Sequence, residues 1–136
     1  MILFDNSLIK LDYSPVIDVL EVAYPDLHDY LLPDIVGSLD ILVETIIGYD
    51  VKRVLVDSSR TVLAVGAEQS RMITSHLIKG LMTTRITKLA RLQSSNSVVE
   101  STAHGNIQYA TETFAFPFEL RNFSTKSEAL DWLQSA

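Results

Sequence analysis

The sequence predicts a single α/β domain in which helices pack against one mixed β-sheet. Short apolar segments alternate with longer ones whose apolar residues recur every three or four positions, as in a helix that buries one face. The continuous apolar run from Arg53 to Val56 is typical of a strand buried on both faces of a parallel sheet. The 136 residues contain no linker-like or low-complexity segment, so one domain over 1–136 is expected.

The amino-terminal part predicts an antiparallel pair of strands. Met1 to Tyr13 alternates loosely, which suits a short hairpin or an edge strand, and Ser14-Pro15 ends it because proline cannot donate to a β-ladder. Val16 to Tyr24 predicts the next strand.

Three helix–strand units and a closing helix follow. The predicted helices span about 34–48, 67–82 and 97–109, and the strands that follow them span about 53–57, 86–92 and 116–123. The closing helix has a buried face that includes Ala129, Leu130, Trp132 and Leu133. Gly48 is expected at a helix end with positive φ. Capping boxes are predicted at Ser97 with Glu100 and at Thr125 with Glu128. This alternation favours a sheet of about five strands, parallel except for its first pair, with about four helices.

Charge and composition argue against several classes of protein. The net charge of −6 argues against nucleic-acid binding, which needs a basic surface. The absence of cysteine excludes a disulfide scaffold and a thiolate nucleophile. No apolar stretch is long enough for a transmembrane helix, and the segment MILFDNSLIK lacks the basic start of a signal peptide, so a cytoplasmic protein is expected.

Polar residues follow two of the predicted parallel strands. Open α/β sheets bind ligands beyond the carboxyl ends of their strands, where polar turns of this kind would lie together. They form a predicted site for an anion or a polar head group, made of Asp57, Ser58, Ser59, Arg60, Ser94, Ser95 and Asn96. The alternative interpretation is that these residues are loop formers that cap the helices after them.

No catalytic constellation, metal site or cofactor is predicted. The three histidines, His28, His76 and His104, lack partners at metal-ligand spacing, and the glycines are too scattered for a phosphate-binding loop.

Two segments resemble a known family. RVLVDSS at 53–59 and FELRNFSTKSEALDWL at 118–133, together with the order of elements, resemble the small bacterial SpoIIAA-like proteins. The resemblance implies the STAS-like fold of anti-sigma-factor antagonists and a role in signal transduction through a protein partner. Such antagonists are switched by phosphorylation of a serine in an Asp-Ser-Ser/Thr-Gly segment. Here Arg60 replaces the glycine, and the match falls at a strand end, which argues against phosphorylation of Ser58 or Ser59.

Three functional hypotheses follow. The first is a non-enzymatic regulatory or interaction module of the STAS-like type, acting through a protein partner or as a homodimer. The second is a small carrier that binds an apolar or lipid-like ligand between the sheet and a mobile helix. The third is a hydrolase or transferase that uses Asp57 with a histidine brought near it by the fold.

Overall fold

A six-stranded sheet with helices on both faces forms the frame of the protein. The structure is a computed structural model and describes residues 1–135. The strands of the main sheet are β1 (Ile2–Asp5), β2 (Lys10–Ser14), β3 (Val19–Ala23), β5 (Arg53–Asp57), β7 (Lys88–Leu92) and β8 (Glu119–Phe123). A second, two-stranded sheet consists of β4 (Leu27–His28) and β6 (Leu63–Ala64). The α-helices are α1 (Leu32–Gly48), α2 (Ala67–Leu81), α3 (Ser97–Thr113) and α4 (Lys126–Gln134).

The sheet is mixed, as predicted. Its order is β1-β2-β3-β5-β7-β8; the β1–β2 and β2–β3 pairs are antiparallel, and the pairs from β3 to β8 are parallel. The sheet has six strands instead of about five because the first fourteen residues form both arms of a hairpin. The predicted α/β class is therefore confirmed, together with its four α-helices.

Several predicted boundaries are wrong for local reasons. β3 begins at Val19 and not at Val16, because residues 15–18 form the turn after β2, where Asp18 has a φ of 51°. β8 begins at Glu119 and leaves Pro117 outside the ladder, where proline costs no hydrogen bond. Helix α1 ends at Gly48, as predicted, but the residue with positive φ is Asp50, two positions later.

One capping box is confirmed and the other is wrong. Thr125 caps α4 and accepts a hydrogen bond from the Glu128 N–H at 3.3 Å. The cap of α3 is Asn96, one residue before the predicted Ser97; its side chain accepts hydrogen bonds from the backbone N–H groups of Val98 and Val99. Glu100 is therefore not part of a capping box, and its carboxylate turns toward the sheet.

Two apolar clusters lie on opposite faces of the sheet. Side chains alternate between the faces along a strand. Val54 and Val56 belong to the larger cluster with α1 and α2, and Leu55 between them packs with Ala129 and Leu133 of α4. The continuous apolar run in β5 is thus buried on both faces, as the sequence predicts. None of the helices formed by residues 1–135 is long and apolar enough to cross a membrane.

Two helical glycines are expected to respond oppositely to alanine. A Cβ at Gly80 of α2 would lie 2.7 Å from Cγ2 of Val43 on α1, whereas a Cβ at Gly105 of α3 would meet nothing within 4 Å. Gly80→Ala should therefore lower the free energy of unfolding by about 1 kcal/mol through overpacking. Gly105→Ala should raise it by roughly 0.5–1 kcal/mol, because alanine costs less conformational entropy in a helix.

Urea unfolding of the two alanine variants tests this contrast. Adding Val43→Ala to Gly80→Ala should recover part of the loss, because it removes the methyl group that the new Cβ meets. Equal stabilisation by both glycine substitutions would contradict the close approach of α1 and α2.

Candidate functional site

A cavity of about 90 Å³ lies between the sheet and helices α2 and α3, and we call it the apolar cavity. It lies beside the carboxyl ends of β5 and β7, the place where open α/β sheets bind ligands. Its apolar walls come from the sheet, α2 and α3, with Val56, Leu77, Ile78, Leu89, Ala103 and Ile107 among them.

A buried ion pair closes one side of the apolar cavity. Arg91 of β7 points toward α3, and its guanidinium donates to both carboxylate oxygens of Glu100, at 2.7 and 3.0 Å. It also donates to the side-chain oxygen of Asn122, at 3.2 Å. Burial alone would raise the pKa of Glu100, but the hydrogen bonds from Arg91 and from the Ser94 N–H, with the charges of Arg91 and His104, lower it. Of the two partners, Arg91 lines the cavity, and Glu100 neutralises its charge.

Helix α3 covers the cavity while fully burying few of its own side chains. Only Asn106 and Ala110 are buried among its residues, whereas α1 buries five. The Asn106 side-chain amide donates to the Ser70 hydroxyl of α2 at 2.8 Å, and both residues line the cavity. With so little apolar surface buried, α3 is the wall of the cavity that costs least to displace.

Two hydroxyl groups at the apolar cavity remain without a hydrogen-bond partner among residues 1–135. Thr61 Oγ1 is buried and unpartnered, a situation that costs about 1–3 kcal/mol. Tyr24 also makes no side-chain hydrogen bond within the described chain. Burial raises the pKa of Tyr24 to about 12, although the positive charge of Arg91 acts in the opposite direction. Tyr24 is therefore a neutral hydroxyl that can donate a hydrogen bond at physiological pH.

A second cavity, of about 360 Å³, shares the lining residue Tyr24 with the first, and we call it the polar cavity. It is lined by Ser7, Leu8, Tyr24, Asp26, His28, Tyr30, Leu31 and Arg60. Tyr24 lines both cavities. The rings of His28 and Tyr30 stack, with 5.5 Å between their centroids.

The predicted strand-end residues are divided between the two cavities and local turns. Ser58 lines the apolar cavity, where its buried hydroxyl donates to the Leu92 carbonyl oxygen at 2.9 Å. Arg60 lines the polar cavity. Asp57 accepts hydrogen bonds from the backbone and the hydroxyl of Ser59, so this pair stabilises its own turn.

The second group of predicted residues lies at the start of α3. Ser94 is buried; its N–H donates to Glu100 at 2.6 Å and its hydroxyl accepts from the Asn96 N–H at 3.1 Å. Asn96 is the helix cap, and Ser95 is exposed between them. None of these three residues lines either cavity.

Among residues 1–135, no histidine side chain forms a hydrogen bond with Asp57 or Ser58. His76 binds Asp40 at 2.7 Å, and His104 lies 3.2 Å from Glu100 and 3.3 Å from Gln93. His28 lines the polar cavity. In the same part of the chain, no three histidine, cysteine or acidic side chains are grouped so that they could hold a metal ion.

Most of the groups that shape the apolar cavity were not predicted from the sequence. One signal was available: Arg91 interrupts an apolar strand, and a charge in a buried strand requires a partner. Thr61 and Asn106 carry no such signal, because threonine and asparagine are ordinary in loops and exposed helices.

Comparisons of the chain with known proteins returned nothing: no family model, curated protein or solved structure matches it.

Proposed function

We propose that the protein is a non-enzymatic binding module whose apolar cavity takes a small, mainly apolar ligand. The observation that supports this proposal is the cavity itself, which is bounded by aliphatic side chains, with a few polar groups at defined places. Pockets that bind small molecules have this composition.

The electrostatics of the apolar cavity favour a ligand portion without charge. Arg91 and Glu100 already satisfy one another, so a charged group placed there would have to break a bidentate pair. The hydroxyls of Thr61 and Tyr24 can instead hydrogen-bond neutral polar atoms of a ligand.

The volume of the apolar cavity limits what it can hold. Because an engineered cavity of about 150 Å³ holds one benzene molecule, a volume of about 90 Å³ holds roughly four carbon atoms. A short alkyl segment fits this space, and a larger ligand must extend outward or displace α3.

Titration with hexanol, followed in amide NMR spectra, tests the proposal. We expect saturable shifts for residues around the cavity, such as Leu77, Leu89 and Ile107. Ala103→Leu should abolish the shifts, because the added carbons fill the space beside α3. Ala67→Leu, an equal change at an exposed position of α2, is the matched control and should leave them unchanged. Absence of saturable shifts, or equal binding by the Ala103→Leu variant, would remove the support.

The second candidate is the function implied by the family resemblance, a STAS-like regulatory module that acts through a protein partner or self-association. The mixed sheet and its order of helices support that assignment. Exposed apolar side chains lie around Tyr13 at the end of the sheet where β3 and β5 begin, away from their carboxyl ends, and Val16 among them is 97% exposed. The others are Met1, Ile2, Ile47 and Tyr49.

Light scattering over a range of protein concentrations tests self-association through this end of the sheet. A dimer that Val16→Asp converts to a monomer would favour the second candidate. A monomer at every concentration would count against self-association.

A further inference from the structure

The apolar and polar cavities are separated by the small β4–β6 sheet. β4 pairs with β6 in parallel, with Leu27 opposite Leu63 and His28 opposite Ala64. Because successive side chains in a strand point to opposite faces, Leu27 and Leu63 line the apolar cavity and His28 lines the polar one. One thin wall therefore has an aliphatic side and a polar side.

Tyr24 is the point where the two cavities meet. Among the described residues, Tyr24 alone lines both the apolar and the polar cavity. Its hydroxyl makes no side-chain hydrogen bond in the described chain, so packing alone holds the ring. A chain-like ligand that fills the apolar cavity would leave it along this ring and emerge between His28, Tyr30 and Arg60.

The polar cavity offers an unsatisfied positive charge. Arg60 is exposed and forms no salt bridge or hydrogen bond within residues 1–135. Asp26, the acidic group in the same cavity, already accepts a hydrogen bond from the Val62 N–H at 2.8 Å. His28 and Tyr30 add ring N–H and hydroxyl groups that can donate. The Asp26 carboxylate keeps its negative charge and its second oxygen, but it pairs with none of these donors among residues 1–135. The donors of Arg60, His28 and Tyr30 are therefore available to an anion placed beside Arg60.

We propose that the ligand is a short-chain amphiphile with a carboxylate head, its alkyl end in the apolar cavity and its carboxylate beside Arg60 in the polar cavity. This inference rests on the proposed function, because the alkyl end occupies the cavity described there. A chain of about eight carbons provides roughly four for the apolar cavity and the remainder to pass Tyr24. The Arg60 guanidinium then pairs with the carboxylate through charge-assisted hydrogen bonds.

Calorimetric titration with octanoate, octanol and octylamine at neutral pH tests the head-group assignment. We expect octanoate to bind about tenfold more tightly than octanol, and octylamine to bind least well. Arg60→Gln should remove the advantage of octanoate over octanol without changing the affinity for octanol. Arg85→Gln is the matched control, since Arg85 is an exposed arginine that pairs with Asp50 and lines neither cavity.

The outcomes separate this inference from the proposed function. Equal affinities for octanoate and octanol, tighter binding of octylamine, or an Arg60→Gln variant that binds octanoate normally would each overturn the carboxylate head. If Ala103→Leu leaves octanoate binding intact, the anion binds at the surface and the two-cavity arrangement is wrong. If hexanol also fails to bind the wild-type protein, the proposed function itself fails. Binding of hexanol with no preference for octanoate would overturn only the head group.

Discussion

Arg91→Met is expected to lower the free energy of unfolding by about 3 kcal/mol, because it removes the bidentate partner of the largely buried Glu100 carboxylate. The two side chains are only 11% and 16% exposed, so solvent screens their interaction weakly. The Ser94 N–H remains as a partner of Glu100, but one neutral donor does not replace a bidentate guanidinium.

A double-mutant cycle separates the ion pair from its surroundings. Glu100→Met should also be strongly destabilising, since it leaves Arg91 with only the Asn122 oxygen. The variant carrying both substitutions should be far more stable than the sum of the two losses predicts, because no buried charge remains. Urea unfolding of the four proteins provides the comparison. Strictly additive losses would show that Arg91 and Glu100 act independently.

The Arg91–Glu100 ion pair should also make the free energy of unfolding depend on pH in the acid range. The folded state lowers the pKa of Glu100 below its ordinary value of 4.5. The ionised carboxylate therefore contributes its full stabilisation above pH 4.5, and this contribution is lost as the pH falls through the lowered pKa. In Glu100→Gln, which cannot ionise, the acid part of the stability profile should be flatter than in the wild type.

Periodicity in the sequence was sufficient to predict the main helices and the central strand. Helices α1 and α2 bury apolar residues three or four positions apart, as Ile35, Leu39 and Leu42 do in α1. An amphipathic pattern of this kind predicts each helix. The apolar run of β5 predicted its burial between two layers. Boundaries were less accurate at β3 and β8, because a turn and a proline decide where a ladder begins.

The general position of the site was predictable, but most of its residues were not. The sequence predicts that polar groups gather beyond β5 and β7. Two of these groups line the cavities in the structure, Ser58 the apolar cavity and Arg60 the polar cavity. The remaining predicted residues bond locally in turns and caps, which short polar side chains do regardless of any ligand. The hydrogen bond between Asn106 and Ser70 joins residues 36 positions apart, so only the packing of α2 against α3 reveals it.

Leu55→Ala is expected to destabilise the protein by about 3 kcal/mol while leaving the apolar cavity unchanged. Leu55 is fully buried at the centre of the sheet, in the small cluster formed with α4. That cluster also contains Leu92 and Leu133, with Phe123 and Trp132 packed against it, so alanine at position 55 leaves a hole among side chains that are already packed. Hydrogen exchange should show faster opening of α4 than of α1.

The neighbouring residue provides a control on the opposite face of the sheet. Val56 lines the apolar cavity, and Val56→Ala should cost about 1–2 kcal/mol. It should also enlarge the cavity and favour longer alcohols over hexanol, whereas Leu55→Ala should leave the affinity for hexanol at the wild-type value. Both variants would be destabilised, but only Val56→Ala would change the ligand preference. The pair therefore tests whether binding occurs on the α2–α3 face. A change in hexanol affinity in Leu55→Ala, with none in Val56→Ala, would place binding on the α4 face instead.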